Sequence, residues 1–93
     1  MSANENIAAP QTLMQKAASA RMNNDWHTAE LLYRSMALVL SASGQEAELA
    51  VVLYHLAKTL EAQGKYFATF EILSALDTLL VHLEQLNEAD DAA

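Results

Sequence analysis

The chain predicts an all-α fold: four helices paired as two antiparallel helix–turn–helix hairpins. Three observations point to it. The 93 residues hold two Gly and one Pro, while the good helix formers Ala, Leu, Glu and Gln are abundant. Apolar residues recur at helical spacing through most of the length. The breaks in that pattern are only two or three residues long, which forces neighbouring helices antiparallel.

Residues 1–9 have no periodicity and are expected to form a flexible N-terminus. Pro10 suits the first turn of a helix, where its missing N–H costs nothing. Leu13, Ala17 and Ala20, with Met14 and Ala18, give that helix its apolar side. Asn23 and Asn24 tolerate a left-handed backbone and so close it. Asp25 then offers a carboxylate to the free N–H groups of a second helix, which carries Trp26, Ala29, Leu32, Tyr33, Met36, Ala37 and Leu40 and is expected to end at Ser43-Gly44. Ser43 and Glu46 have capping-box spacing, so a third helix begins there. Its stripe is Leu49, Val52, Leu53, Leu56 and Leu60, with Ala57 beside it, and Gln63-Gly64 ends it. The last helix starts at Lys65-Tyr66 and is expected to reach about Asn87, leaving 88–93 as an acidic disordered tail. One helical domain, 10–87, results.

Composition excludes several classes of chemistry. With no Cys there are no disulfides, thiolate metal sites or cysteine nucleophiles. The net charge is −7, and residues 66–93 hold six acids (Glu71, Asp77, Glu84, Glu88, Asp90, Asp91) with no Lys or Arg. Nucleic acid and anionic membranes are therefore not expected partners. The N-terminus lacks a basic start followed by an apolar stretch, and no run approaches the ~18 apolar residues of a membrane span. A cytoplasmic location is the expectation.

The histidines, His27, His55 and His82, fall on three different predicted helices without metal-ligand spacing. Glu46/Glu48 and Asp90/Asp91 are expected in a cap and a tail, not in the concave site that acid–base work needs. Two isolated glycines cannot build a phosphate loop. No catalytic, cofactor-binding or metal site is predicted, and a small helical enzyme is the least favoured alternative.

The two hairpins also match each other. An offset of 40 lays Ala17 on Ala57, Ala20 on Leu60, Asn24 on Gly64, Ala29 on Thr69, Tyr33 on Leu73 and Met36 on Leu76. The stretch Leu53–Tyr66, with Ala57, Gly64 and then Thr69 at its small positions, resembles the first helix and turn of a tetratricopeptide repeat. Ala17, Asn24 and Ala29 occupy those positions in the first unit. Asn24 departs from the family's turn Gly and Thr69 from its Ala, and neither unit ends in the family's Pro. The resemblance implies a peptide-binding inner groove, into which Tyr54 would face and to which Arg34 and Lys58 would bring positive charge. Size, acidity and fold are also similar to those of small type III secretion chaperones.

The final helix carries more apolar surface than one hairpin needs. Ile72, Leu76, Leu79, Leu83 and Leu86 follow heptad steps, and Leu73, Leu80 and Val81 widen the band. Two repeats are also fewer than usually make a stable stack. The expected function is non-catalytic binding of a partner helix or peptide against this Ile72–Leu86 seam, Leu80 included. The alternatives are a homodimerising scaffold and internal burial of the seam under the first helix.

Overall fold

The computed structural model describes residues 10–92, and the expected flexible segment 1–9 lies outside them. Among the described residues the fold is all-α: α1 Pro10–Met22, α2 Trp26–Ala42, α3 Glu46–Ala62 and α4 Tyr66–Ala92.

One turn design is used at all three connections. Asn24, Gly44 and Gly64 take positive φ values of 59°, 71° and 74°. The amide of the next residue then reaches back to a carbonyl of the outgoing helix: Asp25 to Ala20 at 2.8 Å, Gln45 to Leu40 at 3.0 Å and Lys65 to Leu60 at 3.0 Å. This is the Schellman closure, which satisfies carbonyls that a helix end leaves unpaired. Asp25 caps α2 as expected, its Oδ1 accepting from the Thr28 amide at 3.3 Å. Hydrogen bonding from Thr28 holds the Asp25 carboxyl below its ordinary range.

The expected capping box at Ser43 and Glu46 does not form. With Gly44 left-handed, the chain enters α3 one residue later, so Gln45 is its N-cap and makes no side-chain cap bond. Ser43 instead closes α2, donating from Oγ to the Val39 carbonyl at 2.8 Å. At the other end, α4 does not stop near Asn87. Its backbone stays helical to Ala92, because residues 88–93 contain neither Gly nor Pro to end it.

The helices pack in chain order, α1 on α2, α2 on α3 and α3 on α4. The molecule measures 47 × 39 × 19 Å, with a radius of gyration of 14.9 Å; a globular chain of this length would give about 12 Å. Its thickness is about two helix diameters. This is an open array and not a closed four-helix bundle. One core runs through α1–α3 on Ala17, Ala29, Tyr33, Met36, Leu56 and Leu60. A second, between α3 and α4, is built on Ala50, Leu53 and Leu76. Alanines at the helix contacts let the backbones approach closely. The buried hydroxyls of Thr59 and Thr69 are satisfied locally, each donating 2.8 Å to a carbonyl four residues back.

Candidate functional site

The seam on α4 turns inward. Leu76 is buried, and Ile72, Leu79 and Leu83 pack partly buried against Ala50 and Leu53. The covering helix is thus α3, not the first helix. Leu80 and Leu86, by contrast, are exposed. The seam expected to meet a partner is therefore used internally as far as Leu83. Past that point α4 leaves α3 behind, since Glu46, the first residue of α3, lies opposite His82 (Oε2 to Nε2, 3.2 Å).

The remaining apolar surface lies on the neighbouring face of α4. Phe70, Leu73 and Leu80 are open to solvent, flanked by exposed Tyr66, Phe67 and Val81. The 40-residue offset explains why these side chains are large. Their counterparts on α2 are the residues against which the second hairpin packs. Glu30 is 8% exposed and its counterpart Phe70 68%; Tyr33 is 1% exposed and Leu73 45%; Leu40 is 2% exposed and Leu80 49%. On α2 this face is covered by α3, and on α4 none of the described residues covers it. The same face also carries exposed Asp77, Glu84 and Glu88. None of these three pairs with a cation among the described residues.

The other end of the array is built differently. The α3 residues turned towards α1 and α2 include Val52, His55, Leu56 and Thr59. Their counterparts on α1 are Thr12, Gln15, Lys16 and Ser19, all exposed. The array has a polar first helix and an apolar last one.

The expected groove residues do not converge. Tyr54 and Lys58 share the outer face of α3, one turn apart, and Lys58 pairs with Glu61 at 3.3 Å. Arg34 lies on α2, donating from Nε to Glu30 Oε2 at 2.9 Å. The buried Glu30 carboxylate, which sequence reasoning missed, also accepts from Gln63 at 2.9 Å and Lys65 at 2.8 Å. Only its i, i+4 spacing to Arg34 was visible in the sequence. Burial alone would raise its pKa, but the hydrogen bonds from Lys65, Arg34 and Gln63 win and bring it down to about 2.

A second polar cluster joins three helices. Arg21 of α1 donates from Nη1 to Tyr33 Oη at 3.3 Å and lies 3.1 Å from His55 Nδ1. The His55 ring stacks on Tyr33 with centroids 5.6 Å apart. Burial, and then the Arg21 charge, push the His55 pKa down, so the neutral imidazole accepts at Nδ1. His27 is exposed on α2 and His82 faces Glu46, so the three histidines stay apart. No group of three metal-binding side chains occurs among the described residues. Beside Arg21, an open recess of about 260 Å³ is lined by Ala18, Met22 and Trp26 and gathers no acid–base pair.

By length and composition alone, Tyr66–Glu88 is apolar enough to cross a membrane. Such a span would enclose Glu71, Asp77 and Glu84, each costly in hydrocarbon, and would strip α3 of its packing partner. No protein-family model matches the chain, and no curated protein or solved structure gives a significant match to it.

Proposed function

We propose that this protein is a non-catalytic docking module that binds a helix of another polypeptide on the Phe70–Leu80 face of α4. The observation that carries this reading is the contrast between equivalent faces: Tyr33 buried and Leu73 open, Leu40 buried and Leu80 open. A face of this size and apolarity beside an intact core is the usual mark of an interaction surface. The incoming helix would lie on α4 as α3 lies on α2, antiparallel, and apolar anchors at i, i+3/i+4 and i+7 would give it purchase. The two hairpins then act as tetratricopeptide-like units, and the partner completes the stack. Such a module serves as an adaptor or as a holding chaperone for the partner segment.

The test uses a synthetic amphipathic peptide with Leu at helical core spacing and Gln elsewhere, titrated into the full chain by calorimetry. Binding that Leu73→Glu abolishes and Val51→Glu, on the outer face of α3, leaves intact supports the reading. Indifference to Leu73→Glu overturns it.

A further inference from the structure

Resting on that reading, we infer that the occupant of the α4 face is a basic amphipathic helix from a different chain, with two cations one heptad apart, and not a second copy of this protein. Charge complementarity carries the inference. Asp77, Glu84 and Glu88 lie along the open face, and no Lys or Arg occurs from Tyr66 onward. Asp77 and Glu84 are seven residues apart, two helical turns, and share one side of α4 with Phe70. A helix lying along this side meets apolar groups near the turn and carboxylates towards the far end. Lys or Arg placed opposite Asp77 and Glu84 would find acids that pair with no cation among the described residues.

Both ways of using a second copy are disfavoured by the same residues. A head-to-tail stack would place α1 of one copy on α4 of the next, as α3 sits on α2. The positions of α1 that would make the contact are Thr12, Gln15, Lys16 and Ser19, where α3 uses Val52, His55, Leu56 and Thr59. A polar outer helix of this kind is how repeat arrays are capped. Among the described residues the α1 side of the array thus presents polar side chains and the α4 side apolar ones. A two-fold pairing of α4 on α4 would bring the acids of both copies together with no base between them, and like charges across a contact are repulsive. Glu30 shows what the fold does with a carboxylate at such a junction: on α2 it is met by Lys65 and Gln63 of the incoming hairpin. On α4 the equivalent position is Phe70. The partner therefore needs no cation near the turn and needs its cations further along.

The experiment compares three peptides with the same Leu positions, whose polar face is Lys, Gln or Glu, against the full chain by fluorescence anisotropy. The Lys peptide should bind at least about tenfold more tightly than the Gln peptide, and the advantage should shrink as salt rises. The double variant Asp77→Asn, Glu84→Gln should weaken the Lys peptide by about fivefold and leave the Gln peptide unchanged. Phe70→Gln, which keeps the net charge, should weaken both. Equal binding of Lys and Gln peptides overturns the charge inference while leaving the docking reading standing. Indifference of both peptides to Phe70→Gln overturns both. Sedimentation equilibrium of the full chain at neutral pH over a wide concentration range should give a monomer. A dimer that Leu80→Glu dissociates would instead assign the face to a second copy.

Discussion

The Nζ of Lys65 lies 2.8 Å from Oε1 of Glu30 and ties the middle of the first hairpin to the turn that opens α4. Gln63 donates to the same oxygen, and Arg34 holds the other. With a folded pKa of about 2 against an ordinary value of 4.5, Glu30 binds its proton more weakly folded than unfolded. Its contribution is therefore complete above pH 4.5 and is lost as pH falls towards 2. Glu30→Gln should cost about 1–2 kcal/mol at neutral pH, because Lys65 and Arg34 are half exposed and solvent screens the pairs. Urea titrations at pH 7 and pH 3 measure it. The variant should lose less stability than the parent between the two, and an unchanged acid slope would contradict the account.

His55 titrates in a separate window. Its folded pKa lies below the ordinary 6.5, so the unfolded chain takes up the proton first and stability declines as pH falls from that value. His55→Phe, which keeps the stack on Tyr33, should remove the decline between about pH 7 and pH 5. The Glu30 transition at lower pH should remain. Thermal midpoints across that range separate the two groups.

Equivalent residues of the two hairpins should respond very unequally to truncation. Tyr33→Ala empties a fully enclosed site and should cost ~3 kcal/mol or more. Leu73→Ala removes atoms already half in water and should cost less than ~1 kcal/mol. Chemical denaturation of the two variants decides. Comparable costs would mean that the α4 face is covered in the isolated protein.

The end of α4 should add little to folding. Leu83 is the last α4 residue packed on the α3–α4 core, and Leu86 is exposed. A chain ending at Gln85 should keep its urea midpoint within an equivalent of ~0.5 kcal/mol. Amide exchange should be fast past Glu84 and slow around Leu76.

Much of the architecture was legible in the residues. Helices need apolar stripes and stop signals, and both are local. Asn24, Gly44 and Gly64 gave the turns because a left-handed residue is required there. The capping box was misplaced by this same rule: Gly44 in the left-handed region moves the N-cap to Gln45. The heptad on α4 was read correctly as a packing stripe but given to an outside partner. Periodicity identifies a face without naming what covers it, and α3 covers it as far as Leu83. Glu30 was invisible as a junction because Gln63 and Lys65 are more than thirty residues away in sequence.

The helical class, the hairpins, the 40-residue match and the acidic bias after Lys65 follow from sequence alone, since propensity, turn chemistry and charge are properties of short segments. Which α4 face is free was decided only by tertiary packing. Docking α3 buries one stripe of α4, and among the described residues nothing covers the next.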